Sequence, residues 1–520
     1  MLLCNARVIT QDENRPVAEA VAIAKGRIVA VGTESECAPH ADGERIDLGG
    51  AVVLPGLTDA HAHVLGLGIF LAEVDLTGSA SEPEVVERVA RVAGQGAGWL
   101  RGFGWDQSRW PGGAFPHQRS LSAAVPGRPV WLTRIDGHAA WANGEALRLA
   151  GIDGATADPP GGRIVRDGSG APTGVLVDTA MELVARCIPP FTEAEREARI
   201  LAACAACARV GLTGVHDAGD DAATLATLQR LDAQGRLPLR IYAMVDGGKA
   251  HTFEPWRERG PWQGENLAIR CVKLLLDGAL GSRGAAFHEP YADEPGNRGL
   301  TLFAPARFRE LLRQSHEAGF QLAVHAIGDR ANTDVLDGFA AVGLRAADRP
   351  RLEHAQILRP ADVSRAAGLG VIASMQPTHC TSDMPWVEAR IGRGRMEGAY
   401  AWRSFLDAGA CLALGSDFPI ESPDPRKGLY AAITRQDERG HPPGGFHPHE
   451  RISAAEALRG FTTGAAFAAF AEGELGRIAP GYRADLTVLD RDPLAVEPRA
   501  ILDAAVLLSV VAGRVIHDGR

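Results

Sequence analysis

Residues 305–326 read PARFRELLRQSHEAGFQLAVHA. Pro305 opens a helix-like segment, Pro305–Ala318, and Gly319 stands just past its end. Proline suits a first helical turn, whose N–H groups are unbonded anyway, and glycine suits a helix exit. A short apolar run, Gln321–Ala326, follows and reads as a strand ending in Val324-His325-Ala326. One such unit decides little, but its repetition decides the fold. Further strand candidates are Gly56–His63, Gly214–Asp217, Arg240–Val245, Cys271–Asp277, Arg351–His354, Val371–Gln376 and Cys411–Asp417. Helical segments separate the later ones. Eight strands alternating with helices predict an α/β fold, a TIM-like (β/α)8 barrel.

Two features lie outside that alternation. About 150 residues separate the first two strands, far beyond an ordinary βα loop. This segment carries Trp99, Trp105, Trp110, Trp131 and Trp141 and is expected to form an inserted cap subdomain over residues 70–200. The chain ends read as short strands: Ala6–Ile9, Ala20–Ala24, Arg27–Val31 and Ala51–Leu54 at the start, Asp485–Leu489, Leu507–Val511 and Arg514–His517 at the finish. Neither half can bury a core alone. The expectation is therefore one small composite β-sandwich from residues 1–55 and 476–520, with the barrel occupying 56–475.

Composition sets outer limits. In 520 residues, 46% are hydrophobic and 23% charged, with a net charge of −10 and no long run of one sign. That excludes wholesale disorder and argues against a nucleic-acid partner. No apolar stretch reaches the roughly 18 residues of a membrane span. Eight cysteines form no disulfide framework. Cys204 and Cys207, three apart in an Ala-rich run, read as a buried helix seam rather than a redox or zinc motif. The N-terminal apolar run is too short for a signal peptide, so a reduced, cytoplasmic setting is expected. Gly368-Leu369-Gly370-Val371-Ile372-Ala373 mimics a dinucleotide turn but leads into a strand, the wrong order for one.

Only four lysines occur, Lys25, Lys249, Lys273 and Lys427. Three touch a glycine. Lys273 sits instead in the apolar run Cys271–Leu276, where a charged amine is out of place. Barrels build their sites at strand C-terminal ends. There this sequence puts His61 and His63 on the first strand, two apart and so facing the same way. Lys273 lies on the fourth strand, His325 on the fifth, Glu353-His354 on the sixth and Asp417 on the eighth. Four imidazoles and a carboxylate suit zinc or a similar divalent cation. Burial lowers an amine's pKa, and a neutral amine can add CO2 to become a carbamate, an anionic ligand able to bridge two metals. The competing reading of Lys273 is a salt-bridged lysine, with Asp277 as partner.

Together these segments resemble the amidohydrolase superfamily: Gly56–His63, the Val272-Lys273 strand with Asp277–Ala285, Val324–Asp329, Leu352–Ala355 and Leu414–Asp417. Gly102–Asp106, Asp136-Gly137-His138, Trp141-Ala142-Asn143 and Gly476–Leu486 are similar to amidohydrolase family 3, the YtcJ-like group that includes N-substituted formamide deformylases. The resemblance implies His61, His63, Lys273, His325, His354 and Asp417 as metal-site residues, holding one or two divalent ions. It implies hydrolysis of a non-peptide C–N bond, of amide or formamide type, by metal-activated water. Asp417 would take the water's proton and return it to the leaving amine. Hydrolysis of an imine or ester, or deamination, remains open on the same site, and a non-catalytic binding protein keeping the fold is a further alternative. Substrate-binding candidates are His138, Arg283, Gln376 and His379; Arg283 alternatively ties down its loop. His216 and Asp277 are expected behind the ligands. A small-molecule substrate is expected, and a homodimer is left open.

Overall fold

The computed structural model describes residues 1–520 apart from 42, 95–97, 136, 138, 160 and 161. The chain folds as two compact units, Met1–Val64 with Leu201–Arg520, and Leu65–Ile200.

The first unit contains the barrel. Its strands are β1 (Leu57–Ala62), β2 (Leu212–Asp220), β3 (Arg240–Asp246), β4 (Leu267–Leu275), β5 (Gln321–Ala326), β6 (Arg351–His354), β7 (Ile372–Met375) and β8 (Leu412–Leu414). Each pairs in parallel with the next. The helix before β5 runs Pro305–Glu317, with Gly319 left-handed at φ +83°.

The ring closes through the ends of β1 and β8. Asp417 N–H donates to His61 O at 2.7 Å, and His63 N–H donates to Phe418 O at 2.9 Å. The Asp59 carboxylate accepts from Ser416 N–H at 3.1 Å and from its hydroxyl at 2.6 Å. This pull explains why β8 stops short of Asp417, where the sequence suggested its end: Gly415 N–H still donates to Met375 O at 3.1 Å, and Ser416 and Asp417 then turn to meet β1. Gly415 permits the approach, since a Cβ there would lie 2.4 Å from Asp59 Oδ1 and 2.6 Å from His61 N. β2 and β4 run longer than expected, both starting earlier in the chain.

The chain ends form two facing sheets. One is ordered Arg27–Gly32, Ala20–Ala24, Leu2–Cys4, Arg45–Asp47. The other is ordered Arg514–Asp518, Val506–Val511, Leu486–Leu489, Val52–Pro55, Arg7–Ile9, Val17–Ala18. Val53 lies opposite Val488, so both termini share that sheet. Alternate residues point inward: Leu3 and Val21 from one sheet pack with Val53, Val488 and Leu508 from the other.

The second unit is built on a six-stranded mixed sheet that includes Leu100–Trp105, Val130–Arg134 and Ala139–Ala142. Its tryptophans are its core. Trp105, Trp110 and Trp141 pack on one face, and Trp131 on the other. Trp105 Nε1–H donates to Leu132 O at 2.8 Å, so the buried indole loses no hydrogen bond. Helix Glu193–Arg209 carries Cys204 and Cys207, both buried; burial pushes the Cys204 thiol up to about 12. All eight cysteines are free. Among the described residues no helix is long and apolar enough to cross a membrane.

Candidate metal centre

His61 and His63 leave β1 on the same side. The His61 ring is buried, and its Nδ1–H donates to Glu353 on β6. That bond sets the tautomer and leaves Nε2 as an acceptor facing Lys273. Nε2 lies 3.2 Å from Lys273 Nζ and 3.6 Å from Asp417 Oδ1. His63 is more open, with Nε2 3.1 Å from the same Asp417 oxygen. Glu353 is held in turn by Arg351, whose Nε donates to Oε1 at 2.7 Å. Arg351 also donates to Ala60 O at 2.7 Å, Ser374 Oγ at 3.0 Å and His216 Nδ1 at 3.0 Å. Both Arg351 and Glu353 are fully buried.

From the other side come His354 and His379. His354 Nδ1–H donates to Gln376 Oε1 at 2.8 Å, leaving Nε2 as an acceptor. His379 sits on the helix Pro377–Asp383 after β7, with Nε2 3.6 Å from Asp417 Oδ2. The ring centre of His325 is 4.6 Å from that of His354. Two triads suited to a metal ion therefore share Asp417: His61, His63 and Asp417, and His354, His379 and Asp417, with the ligand atoms of each within 4.8 Å of one another. The backbone is strained here: His354, Ala355 and Asp417 have φ of +71°, +44° and +63°. Such non-glycine residues cost about 1–3 kcal/mol each and persist where surrounding structure enforces them.

The electrostatics match a cation site. Burial drives His61 down to about 4, helped by Lys273. Burial and the neighbouring imidazoles of His325 and His61 hold His354 well below its ordinary value. Burial alone would raise Asp417, but His63, His61 and His354 outweigh it and keep it well below the usual carboxylate range. Neutral imidazoles beside an ionised carboxylate are the protonation states a divalent metal requires. Burial also lowers Lys273, against the opposing pull of Glu353 and Asp417. Three buried atoms, His325 Nε2, His379 Nε2 and Asp417 Oδ1, have no hydrogen-bond partner of normal geometry. Leaving such groups unpaired is costly, and for His379 and Asp417, which share a triad, a bound cation is the partner that fits.

The remaining expected residues fall as follows. Lys273 does not pair with Asp277. That carboxylate instead accepts backbone N–H groups of Ala286 (2.9 Å), Ile327 (3.0 Å) and Gly328 (2.9 Å), and its Oδ1 is 3.4 Å from His325 Nε2. His216 lies behind the ligands on Arg351. Arg283 is engaged by Asp293 at 2.9 Å and Glu294 at 3.3 Å, which ties down its loop rather than presenting a free fork. Gln376 meets an imidazole instead of open space. His379, expected in the substrate pocket, joins a metal triad. His138 lies outside the described residues. Arg351 and Glu353 were missed as a pair. Their signal is two opposite charges at i and i+2 of a short strand, which therefore face the same side.

What this fold and site define is a metal-dependent hydrolase, with histidine and aspartate clusters at the C-terminal end of a barrel. Residues 44–517 match the profile described as the amidohydrolase family, and the chain belongs to it. It is thus an enzyme of the kind that hydrolyses C–N bonds. It is 33% identical to the putative amidohydrolase YtcJ of Bacillus subtilis over 91% of this chain and 90% of that one. It is 31% identical to the N-substituted formamide deformylase of Arthrobacter pascens over 99% and 97% respectively. Among solved structures, an uncharacterized metal-dependent hydrolase from Pyrococcus furiosus superposes with a TM-score of 0.81 at 31% identity, covering 95% of this chain and 99% of that one.

Proposed function

We propose that the protein is a zinc-dependent amidohydrolase of small N-acyl or N-formyl amines, working in the reduced cytoplasm. The observation that carries this reading is the pair of triads, His61, His63 and Asp417 and His354, His379 and Asp417, that share one carboxylate at the barrel mouth. His61, His63, His325, His354 and Asp417 would hold the metal, joined by His379. When bound, a divalent ion there supplies Lewis acidity that acidifies water and polarises a carbonyl.

The chain's own groups do the rest. Glu353 fixes the His61 tautomer and Gln376 fixes that of His354, so both Nε2 lone pairs face inward. Asp417, ionised and at the mouth, accepts a proton from the attacking water and hands it to the departing amine nitrogen. Lys273 has the burial that favours a neutral amine. Its Nζ can attack CO2, forming an N–C bond and releasing one proton, to give a carbamate facing His61. The likeness to the formamide deformylase over nearly its whole length supports the amide or formamide class. Eight free cysteines support a reducing compartment. The unit Leu65–Ile200 is assigned a part in substrate specificity.

The test is a screen of N-substituted formamides, N-acyl amines and N-acyl amino acids against zinc- and manganese-loaded enzyme, followed by release of free amine. Turnover of formamides or acyl amines is expected. Hydrolysis confined to esters or imines, with these inert, would reject the assignment. Intact-mass measurement under native conditions checks the carbamate: one added CO2, lost in Lys273→Met.

A further inference from the structure

The unit Leu65–Ile200 holds a cavity of its own, about 320 Å3, walled by Ile69, Val74, Trp99, Leu100 and Phe191. Its charges are unbalanced. Arg101, Arg128 and Arg199 line it against a single carboxylate, Glu73. Glu73 is already used, paired with Arg101 Nη2 at 2.8 Å. Arg128 binds backbone, donating to Gly98 O at 2.7 Å and Ala93 O at 2.9 Å. Arg199 donates through Nη1 to Glu195 O at 3.1 Å.

Two guanidinium groups share one aromatic ring: the Arg199 and Arg101 carbons lie 4.1 and 5.7 Å from the centre of Phe191. The Nε of each is buried with no hydrogen-bond partner. Burial is the main reason the Arg199 pKa is lowered; Glu195 and Glu73 oppose it, and the like charge of Arg101 adds to it. The arrangement is also tightly packed. A Cβ on Gly68 would come within 2.2 Å of Arg199 O, so glycine there lets the helices Val64–Ala72 and Glu193–Arg209 pack backbone to backbone. Buried N–H donors without acceptors, two like charges on one ring and an apolar wall are together explained by one occupant. It must supply oxygen acceptors and negative charge at one end and an apolar body at the other.

We propose that this cavity binds a small organic anion, a carboxylate on an apolar or aromatic body, clasped by Arg101 and Arg199 with its body against Trp99 and Phe191. This does not depend on the reaction assigned to the metal centre.

Calorimetric titration of the metal-loaded enzyme with benzoate tests it, with benzamide as the neutral analogue and inorganic phosphate as the anion lacking an apolar body. One benzoate per chain is expected, with benzamide and phosphate both weaker. Losing a charge-assisted contact in Arg199→Met should weaken benzoate by about tenfold or more. Leu71→Glu places a negative charge on a half-exposed wall residue that the fold does not need buried. It should weaken benzoate similarly and carries the test if Arg199→Met unfolds. No heat at millimolar benzoate, phosphate binding as tightly as benzoate, or benzoate binding that survives Leu71→Glu unchanged would each overturn the proposal. The last outcome would place the anion at the metal instead.

Discussion

The two ends of the barrel invite comparison. At the N-terminal end, around the starts of β1 to β4, lies a cavity of about 360 Å3 bordered by Gly56, Arg240, Asn266, Phe470 and Asp485. Its charges are compensated. Arg240 clasps Asp485 with both arms of its fork and donates to Asn266 Oδ1 at 2.9 Å. Arg483 pairs with Glu265 at 2.6 Å and Glu474 at 2.8 Å. Among the described residues no side chain lining this cavity leaves a buried polar atom unbonded. At the C-terminal end the reverse holds: buried nitrogen and oxygen atoms lack partners, the backbone is strained at three positions, and His61 is driven down to about 4. Room alone does not mark a functional site. Orphaned polar groups, strained backbone and shifted pKa values gathered at one place do, because each is costly and a ligand can offset them together.

Four experiments can break or sharpen this contrast. The largest effect should come from metal removal: chelation should abolish turnover, and Zn2+ or Mn2+ should restore it. Full activity in protein shown by elemental analysis to be metal-free would erase the distinction between the two ends. Next, Asp417→Asn should lower kcat by about 10^2–10^4-fold, the range for losing a general base, while the thermal midpoint stays close to that of the parent. Third, Glu353→Gln removes the charged partner of His61 and should weaken metal binding by about 10–100-fold. Competition with a chromophoric chelator measures it, and at saturating metal much of kcat should return. Last, Asp485→Ala should leave kcat unchanged. It strands the nearly buried Arg240, which should cost about 3–5 kcal/mol of stability in urea unfolding. A rate loss there would show that the N-terminal end takes part in function after all.

Much of this was legible before any coordinates. Strands β5 and β6 were read to the residue; for β5, a short apolar run just past a helix-ending glycine has few other options. The strands at the two chain ends were found from their glycine punctuation, whereas Leu2–Cys4, Val17–Ala18 and Arg45–Asp47 were missed. At two or three residues these strands are too short for alternation to register. The site was partly legible for a similar reason. Residues on strand ends reveal themselves by interrupting apolar runs, as Lys273 does. His379 does not, since it follows Gln376-Pro377-Thr378 at the start of a helix, and nothing in its neighbours tells a loop histidine from a ligand.

The sequence by itself determined the alternation of strands and helices, the joining of the two termini, and the kinds of residue gathered at one end of the barrel. These follow from local periodicity and from the cost of burying charge. The tertiary structure alone decided which of those residues meet. Glu353 reaches His61 across 292 positions of chain, and Ser416 reaches Asp59 across 357. Arg351 and Glu353 of β6 meet Ala60 and His61 of β1 only across the barrel interior. Such pairings depend on strand register and barrel closure, which are set by the packing of the whole molecule and leave no trace in the local pattern of any one segment.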